Sequence, residues 1–427
     1  MERKIGFIGL GYAGFPMAYM FSRHYKIIGY DCSAARIAEL NACRDHTLGV
    51  APDEIRQLLD SGSVLTDDPE QLRACNFYII TVPTPVDEAN KPDFACLLSA
   101  SRTVGSVLGR GDIVVYESTV NPGATEEVCV PALEAASGLS YGQDFAAGYS
   151  PERVNPGDPV HTPRNTVKVV SASTPEALAV VREVYGTVVG TDQIHAASSI
   201  KVAEACKVLE NTQRDINIAL MNEAAKVFAA MNINTGEVID AMNTKWNALG
   251  FRPGLVGGHC ISVDPYYLIE KAAMLGVDTR LMSAARHINN SMADFVARHT
   301  LDQLIRRMQR PANTARVLLL GLTYKENCPD IRNTKVKDIY DSLASCLDDI
   351  TVLDPWADPA QTRAAFGIDV VSQLPAGTQY DAILLCVSHD DFLRFDFRSR
   401  LAPGGFVYDI KGVIPPSTND EYTIIKL

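Results

Sequence analysis

The length and the charge of the chain set the first limits on its function. A chain of 427 residues is too long for one hydrophobic core and predicts two or three domains. Hydrophobic residues make up 47% of a globular composition, and 39 basic against 51 acidic residues give a net charge of −12. This balance argues against a broad basic surface for nucleic acid, so an anionic ligand needs locally placed arginines, lysines or helix N-termini.

The cysteines and the apolar runs indicate a cytoplasmic protein. The ten cysteines form neither a CxxC pair nor a Cys/His cluster at the spacing of a zinc site, which favours reduced thiols and predicts no metal. The N-terminus enters a strand almost at once without a signal-peptide pattern, and no run reaches about 18 apolar residues. We therefore expect neither secretion nor contact with a membrane.

The first block of the chain alternates short apolar runs with helical stretches. Strands are predicted at residues 5–8, 27–30, 77–82, 113–116 and 167–170. Each run leads into a polar or proline-rich loop. In an open parallel sheet such loops lie at the carboxyl ends of the strands, where they build the ligand crevice.

A helical block and a second alternating block follow. Residues 198–231 form an alanine-rich helical stretch without proline or glycine, and a second stretch covers 266–308 with a break around Gly276. Residues 310–313 (Arg-Pro-Ala-Asn) predict a linker. Beyond it, strand-like runs return at 316–320, 350–353, 382–387 and 406–408 and alternate with helical stretches.

Gly9, Gly11 and Gly14 form a GxGxxG sequence directly after the first predicted strand. The loop opens a helix, and Asp31 follows 20 positions after Gly11, which is the context of a dinucleotide-binding βαβ unit. Two glycines permit close approach of a pyrophosphate, and the third lets the helix pack on the strand. Asp31 is expected to accept hydrogen bonds from the adenosine ribose and to repel a 2′-phosphate, which favours NAD over NADP.

The predicted fold is therefore α/β. Two Rossmann-like, doubly wound parallel-sheet domains at 1–197 and 310–427 are joined by a central helical domain at 198–309 that contains a long helix. The first domain is expected to bind NAD, and the central domain to carry catalytic residues.

Further cofactor contacts are predicted near the strand ends of the first domain. Tyr12 and Ala13 lie inside the glycine loop. Arg36, in the following helix, suits either a phosphate or the face of the adenine. Thr84 and Thr119 follow predicted strands and can line the nicotinamide half of the cofactor.

Cys260 lies in the glycine-rich run GGHCISVDPYY. A thiol beside a nicotinamide cofactor can hold an aldehyde as a thiohemiacetal. Loss of a second hydride then gives a thioester, which water cleaves to an acid. Asp264, four residues on, can orient a water or a neighbouring ammonium. The run therefore predicts a double oxidation from alcohol to carboxylate.

Lys207 and Asn211 form a second constellation, on the long predicted helix. A spacing of four residues places both side chains on one face, a turn apart. A lysine there can lower the pKa of a thiol and stabilise an alkoxide, and an asparagine amide can donate to a developing oxyanion.

Together these motifs resemble one family, the nucleotide-sugar 6-dehydrogenases of the UDP-glucose/UDP-N-acetylmannosamine dehydrogenase group, which oxidise UDP-hexoses to UDP-uronic acids with two NAD. The resemblance covers nearly the whole chain. It rests on GxGxxG with Asp31 and Arg36, TVPTP (81–85), ESTV (117–120), SPER (150–153), Lys207-x-x-x-Asn211, FRPG (251–254), the run around Cys260, and residues 325–332.

Within this family the chain is most similar to the branch that acts on UDP-N-acetylhexosamines. FRPGLVGGHC (251–260) and VDPYYL (263–268) are similar to that branch, whereas the UDP-glucose branch usually has GGxCxxKD. Ser262 stands where small Gly, Ala or Pro residues are more familiar. The resemblance implies oxidation of UDP-N-acetylglucosamine for surface polysaccharide precursors, with UDP-glucose, UDP-N-acetylgalactosamine and UDP-N-acetylmannosamine as alternative substrates.

The resemblance also implies roles for single residues. Cys260 is the nucleophile, while Lys207, Asn211 and Asp264 manage the C6 oxygen and its proton. Glu152 assists the later steps, either as the base for thioester hydrolysis or through a water that Thr119 also holds.

Substrate and cofactor contacts are implied outside this set as well. Glu152, Lys207 and Asn211 are expected to contact the substrate together with Arg153, Arg252, Gly257, Lys325 and Lys411. Arg332 resembles a cofactor contact from the third domain. Arg252 resembles a residue delivered across a subunit interface, which implies a homodimer through the central helices.

Two readings outside this family remain open. A two-electron β-hydroxyacid dehydrogenase shares the glycine loop and a helical Lys-x-x-x-Asn and needs no cysteine. A non-catalytic NAD-binding sensor would use Cys260 and Lys207 only for packing. Two NADH per substrate distinguish the first, and ligand protection of the Cys260 thiol distinguishes the second.

Overall fold

The structure is a computed structural model that describes residues 3–153, 165–308, 310–415 and 422–427. The chain forms two compact units, one from residues 1–210 with 266–278 and the other from residues 211–265 with 279–427. The expected linker at 310–313 lies inside the second unit. The division into three domains, with boundaries at 197 and 309, stays a prediction.

Eight strands of the described residues form the sheet of the first unit. They are β1 (Ile5–Ile8), β2 (Ile27–Tyr30), β3 (Val64–Thr66), β4 (Phe77–Ile80), β5 (Ile113–Tyr116), β6 (Ala146–Tyr149), β7 (Lys168–Ala172) and β8 (Ile194–Ala196). Their order is β3-β2-β1-β4-β5-β6-β7-β8. Neighbours are parallel except β6 and β7, which are antiparallel. The strands β7 and β8 therefore run opposite to the other six.

The direction of β7 corrects one expectation. A wholly parallel sheet would bring the carboxyl end of the strand predicted at 167–170 to the ligand crevice. That prediction is wrong, because β7 is antiparallel to β6, so its first residue, Lys168, lies at the edge where β5 and β6 end. The strands β3, β6 and β8 were not predicted from the sequence, and they are only three or four residues long. The β6 sequence AAGY lacks the β-branched run that marks a strand.

Helices cover both faces of this sheet. They are α1 (Gly14–Ser22), α2 (Ala34–Asn41), α3 (Pro52–Asp60), α4 (Ala95–Gly105), α5 (Val130–Ser137) and α6 (Pro175–Val189), with short helical turns at Pro69–Ala74, Thr125–Cys129 and Thr191–Gln193. Along β4, Phe77 and Ile79 join one hydrophobic core, while Tyr78 and Ile80 join another. The strands in the middle of the sheet are thus buried on both sides, as a doubly wound sheet requires.

Five helices form the middle of the chain. They are α7 (Ile200–Ala230), α8 (Thr235–Asn243), α9 (Asp264–Met274), α10 (Arg280–Asn290) and α11 (Met292–Arg307). The long alanine-rich helix is confirmed as α7, with 31 residues. The break around Gly276 is confirmed too, since this glycine has φ +72° between α9 and α10. Among the described helices, none combines the length and the apolar character needed to cross a membrane.

Where the structure describes the second unit, it contains a six-stranded sheet that is parallel throughout. Its strands are β9 (Arg316–Leu320), β10 (Asp349–Leu353), β11 (Val370–Val371), β12 (Tyr380–Leu385), β13 (Leu401–Asp409) and β14 (Thr423–Lys426), in the order β11-β10-β9-β12-β13-β14. The helices α12 (Val336–Ala344), α13 (Pro359–Phe366) and α14 (Phe397–Arg400), with turns at Ala312–Thr314 and Asp390–Phe392, accompany it. The prediction of a second doubly wound domain is confirmed.

Candidate active site

The glycine loop after β1 has the geometry of a pyrophosphate cradle. Gly9 has φ +94°, and a methyl group on Gly14 would lie 2.1 Å from Gly9 O, so both positions need glycine. A methyl group on Gly11 would meet no protein atom within 4 Å, which leaves open space above the loop. The helix α1 begins at Gly14, and Ala13 provides no side-chain cap. Its first N–H groups therefore suit an anion, as the predicted contacts at Tyr12 and Ala13 require.

Asp31 directly follows β2 and reaches back to this loop. Its Oδ2 accepts a hydrogen bond from Leu10 N at 2.9 Å, and its Oδ1 accepts one from Ser33 N at 2.9 Å. The residue is partly exposed. Each carboxylate oxygen has two lone pairs, so Asp31 can still accept hydrogen bonds from ribose hydroxyls. The loop and Asp31 together fit a dinucleotide.

The guanidinium of Arg36 is buried and is bound by groups of the protein itself. Its side chain is 7% exposed, its Nε donates to Leu10 O at 2.9 Å, and its guanidinium lies 3.1 Å from Glu39 and 2.8 Å from Asp45. Two carboxylates therefore already balance its charge. The guanidinium supports the glycine loop through Leu10, while a direct cofactor contact from Arg36 stays a prediction.

The same arginine explains the one cluster of possible metal ligands found among the described residues. Oxygen and nitrogen atoms of Glu39, Asp45 and His46 lie within 4.8 Å of one another. The Arg36 guanidinium binds both carboxylates and so supplies the cation that this cluster needs.

Thr84 and Thr119 lie together past the ends of β4 and β5. Thr84 Oγ1 donates to Thr119 O at 2.7 Å, and the Tyr267 hydroxyl donates to Thr84 O. These hydrogen bonds hold the two predicted nicotinamide-lining loops against each other. The contact of Tyr267 with these loops was not predicted from the sequence.

Glu152 lies three residues past β6, beside a buried charge cluster. Lys168 Nζ is 2.7 Å from Glu117 Oε2 and 4.0 Å from Glu152 Oε2. Tyr185 in α6 donates to Glu117 Oε1 at 2.5 Å. Burial raises the pKa of the Glu117 carboxyl, and Lys168 opposes that rise. The motif ESTV included Glu117, but no role was predicted for Glu117, Lys168 or Tyr185. The signal available was a lysine within the apolar run TVKVV.

Arg153 and Lys207, both predicted to contact the substrate, have different environments. Arg153 forms a two-pronged ion pair with Glu210 of α7, at 2.6 and 3.3 Å, and donates to Val167 O at 2.6 Å. These bonds orient Arg153 along α7. Lys207, also on α7, is a buried residue with 7% exposure.

In the second unit, Cys260 is exposed and lies on a tight turn that leads into α9. Its carbonyl accepts hydrogen bonds from Val263 N at 3.0 Å and Asp264 N at 2.8 Å. Asp264, the first residue of α9, is buried, and its Oδ2 accepts from Asn211 Nδ2 at 2.5 Å. The structure therefore brings the predicted partners Asn211 and Asp264 together. It also keeps the Cys260 thiol accessible, as a nucleophile requires.

The glycines before Cys260 pack against the segment that follows β9. Asn333 Nδ2 donates to Gly258 O, and Gly258 N donates to Asn333 O, both at 3.2 Å. A methyl group on Gly257 would lie 2.7 Å from Asn333 O, and one on Gly258 would lie 2.7 Å from Tyr324. Gly257 is therefore needed for close backbone packing, while its predicted contact with the substrate is untested.

His259 and Arg332 share one carboxylate. Asp330 Oδ2 lies 2.9 Å from His259 Nε2 and 2.8 Å from an Arg332 terminal nitrogen. Burial opposes ionisation of Asp330, but the hydrogen bonds from His259 and Arg332 outweigh it and lower the pKa of the carboxyl well below its usual range. Asp330 thus connects Arg332, which is predicted to contact the cofactor, to the cysteine loop. No role for Asp330 was predicted from the sequence.

The remaining predicted substrate contacts are more exposed. Arg252 pairs with Asp240 of α8. Lys325 is partly buried, and its carbonyl accepts from Thr323 Oγ1 at 2.9 Å. Lys411 Nζ lies 3.9 Å from Glu326 Oε2, so the loops that carry Lys325 and Lys411, both predicted to contact the substrate, are neighbours in the second unit. The roles of these residues in substrate binding stay predictions.

Comparison with known proteins connects this geometry to one family. Residues 3–189 match the NAD binding domain of the UDP-glucose/GDP-mannose dehydrogenase family, residues 201–291 its central domain, and residues 318–416 its UDP binding domain.

Individual relatives match over nearly the whole length. The UDP-N-acetyl-D-glucosamine 6-dehydrogenase of Pseudomonas aeruginosa is 46% identical, covering 98% of this chain and 99% of that protein. The enzyme of the same name from Salmonella typhi is 44% identical, covering 98% of each chain. Among solved structures, the UDP-D-ManNAc dehydrogenase from Pyrococcus horikoshii superposes with a TM-score of 0.88 at 29% identity, covering 99% of this chain and 98% of that chain.

Proposed function

The chain belongs to the UDP-glucose/GDP-mannose dehydrogenase family, and from this premise we propose that it oxidises the C6 hydroxyl of UDP-N-acetylglucosamine to a carboxylate. As a member it is an NAD-dependent oxidoreductase with a UDP-binding domain. The observation that carries the substrate is the near-full-length identity of 46% and 44% to two UDP-N-acetyl-D-glucosamine 6-dehydrogenases. A UDP-N-acetyl-D-mannosamine dehydrogenase from Pyrococcus horikoshii is only 32% identical.

The residues of the glycine loop and Asp31 would hold the cofactor. The open space above Gly11 and the uncapped start of α1 suit the pyrophosphate, and Asp31 suits the ribose. When bound, NAD accepts one hydride in each of the two oxidations.

The thiol of Cys260 performs the covalent chemistry in this proposal. Its sulfur adds to the C6 aldehyde to form a thiohemiacetal, and removal of a hydride from that carbon gives a thioester. Water then attacks the thioester carbon and the C–S bond breaks. The carboxylic acid leaves, and the thiol of Cys260 is regenerated. The exposed thiol supports this role.

Polar side chains manage protons and oxyanions around these steps. Lys207 stabilises negative charge on the C6 oxygen, and the Asn211 amide holds Asp264 in one orientation. Glu152 accepts the proton of the hydrolytic water, at an edge of the sheet where its partial exposure lets water reach it.

We further propose that the protein acts as a homodimer through its central helices, in the cytoplasm, in the supply of polysaccharide precursors. One face of α7 carries four large, exposed apolar side chains, those of Val202, Leu209, Leu220 and Val227, and the exposed Met231 directly follows the helix. An apolar stripe of this length supports burial against a second copy.

The thiol role is tested with Cys260→Ser. The variant is expected to bind NAD normally and to form no UDP-N-acetylglucosaminuronic acid, while Cys346→Ser, at another exposed cysteine, keeps wild-type turnover. The acid is measured by chromatography. Wild-type acid formation by Cys260→Ser would overturn the mechanism.

The substrate is tested with a panel of UDP-sugars. We expect UDP-N-acetylglucosamine to give the highest kcat/KM for NADH formation, above UDP-N-acetylgalactosamine, UDP-N-acetylmannosamine and UDP-glucose. A higher value with another sugar would reassign the substrate, and no NADH with any of them would favour the non-catalytic sensor.

A further inference from the structure

Lys168 lies between two carboxylates of the first unit. Its Nζ is 2.7 Å from Glu117 Oε2 and 4.0 Å from Glu152 Oε2. The side chains of Lys168 and Glu117 are almost completely buried, whereas that of Glu152 is 23% exposed. The lysine therefore binds one inaccessible carboxylate closely and one accessible carboxylate more loosely.

The antiparallel direction of β7 produces this arrangement. Gly148 pairs with Ala172, and Tyr149 pairs with Ser171. Each step forward from β6 therefore corresponds to a step backward on β7. Three residues beyond Tyr149 comes Glu152, and three residues before Ser171 comes Lys168, so the register places them opposite each other. Glu117 directly follows β5, the neighbour of β6, and so lies at the same edge.

Glu117 is fixed from a second side. The Tyr185 hydroxyl donates to Glu117 Oε1 at 2.5 Å, while Lys168 binds Oε2. The Lys168 ammonium also lies 5.6 Å from the centroid of the Tyr185 ring. Both oxygens of Glu117 are therefore engaged inside the protein, and Lys168 is the group that connects this carboxylate to Glu152.

We propose that Lys168 is a positioning residue for Glu152, and that Glu117 limits how much of the lysine charge acts on Glu152. The inference rests on the proposed function, in which Glu152 is the base for thioester hydrolysis. A carboxylate in a close ion pair is a weaker base, while one without a cation beside it is less firmly oriented. An ammonium that also binds a buried carboxylate exerts only part of its charge on the accessible carboxylate.

Two charged side chains beside Glu152 in the described part of the chain are paired with each other. Arg153 binds Glu210 of α7 through two nitrogens, the shorter contact being 2.6 Å. Tyr185 faces the cluster from α6, and its hydroxyl is directed to Glu117. Replacing Glu117 or Lys168 is therefore expected to change the electrostatic potential at Glu152 more than replacing Arg153 or Glu210 does.

Two substitutions shift the pH dependence in opposite directions. In Glu117→Gln, the lysine charge is no longer balanced, which favours the ionised form of Glu152. The low-pH limb of the kcat profile for formation of the carboxylate product therefore moves to lower pH. In Lys168→Met, the cation is gone, and the limb moves to higher pH with a lower kcat. We expect shifts of about half to one pH unit, because Glu152 is partly exposed.

Matched variants separate this effect from general damage. Lys168→Arg keeps the charge and is expected to retain the wild-type limb of the pH profile. If Lys168→Met fails to fold, the comparison of Glu117→Gln with the wild type and Lys168→Arg still tests the proposal. Lys201→Met removes an exposed ion pair with Glu127, 3.5 Å long, and is expected to change nothing.

The outcomes separate this inference from the proposed function. Glu152→Gln is expected to lose acid formation. If it does, and the limbs of Glu117→Gln and Lys168→Met coincide with the wild-type limb, the role of Lys168 is overturned while the proposed function stands. If Glu152→Gln forms acid normally, the role of Glu152 as the base and that of Lys168 both fail.

Discussion

The two sheets of this protein repeat one backbone device with different surroundings. In the first sheet, Gly9 (φ +94°) follows β1, and Asp31 follows β2 and accepts a hydrogen bond from Leu10 N at 2.9 Å. In the second sheet, Gly321 (φ +89°) follows β9, and Asp354 follows β10 and accepts from Leu322 N at 2.6 Å. Each glycine N–H donates to the carbonyl of the residue before the aspartate, Tyr30 or Leu353.

The aspartates differ in what remains for a ligand. Asp31 is partly exposed, and a helix begins five residues after Gly9. Asp354 is buried; it also accepts from the amides of Thr323, Trp356 and Ala357 and lies 3.2 Å from His389 Nε2. A glycine turn with an aspartate therefore does not define a dinucleotide site; an accessible carboxylate and a helix start are also needed.

The largest expected effect is a loss of unfolding free energy on substitution of Asp354, which substitution of Asp31 should not produce. Asp354→Asn places an NH₂ group among donors in a buried site, so we expect unfolding free energy to fall by about 3 kcal/mol. KM for NAD should stay unchanged. Urea unfolding and initial rates measure the two quantities, and a loss below about 1 kcal/mol would show that Asp354 is not the structural counterpart that its five donors indicate.

Protonation of the Asp354 carboxyl is expected to destabilise the protein at low pH. Burial would raise the pKa of Asp354, but hydrogen bonds from His389 and the backbone amides outweigh it and lower the pKa to about 2. A lowered folded-state pKa stabilises the protein above about pH 4, and the contribution of about 2 kcal/mol disappears as the pH falls towards 2. Unfolding free energies measured at decreasing pH should therefore converge for the wild type and Asp354→Asn, and a constant gap would contradict the assignment.

Two glycines of the first loop test its open space. A methyl group on Gly14 would lie 2.3 Å from Thr81 Oγ1 as well as against Gly9 O, so Gly14→Ala should cost about 2 kcal/mol of stability. Gly11→Ala, with no protein atom near, should leave stability within about 0.5 kcal/mol but raise KM for NAD about tenfold. If Gly11→Ala leaves KM unchanged, the pyrophosphate does not pass over this glycine.

The smallest expected effect concerns the accessible carboxylate. Asp31→Asn keeps an acceptor for Leu10 N but loses the charge, so we expect about a fivefold rise in KM for NAD and weaker discrimination against NADP. Stability should change less than in Asp354→Asn, and the reverse order would break the comparison between the sheets.

Much of the first sheet's site could be predicted from the sequence because its signals are local. The glycine spacing and Asp31 lie within one βαβ unit, and the four-residue spacings of Lys207–Asn211 and Cys260–Asp264 describe single turns. The contact between Asn211 and Asp264 joins residues 53 positions apart, and only the resemblance to a family suggested it.

The remainder depends on long-range pairing. Lys168 reaches Glu152 only because β7 reverses direction, and a four-residue strand with the sequence AAGY gives no warning of that reversal. The two glycine turns look alike in sequence, and the burial of Asp354 depends on His389, 35 positions away. Composition and spacing cannot predict such contacts.

The central claim is a four-electron oxidation, and the number of NADH molecules formed per sugar tests it most directly. With limiting UDP-N-acetylglucosamine and excess NAD, we predict two NADH and one molecule of acid for each sugar consumed, without free aldehyde. One NADH per sugar with accumulation of the aldehyde would contradict the role of Cys260 and identify a simple alcohol dehydrogenase.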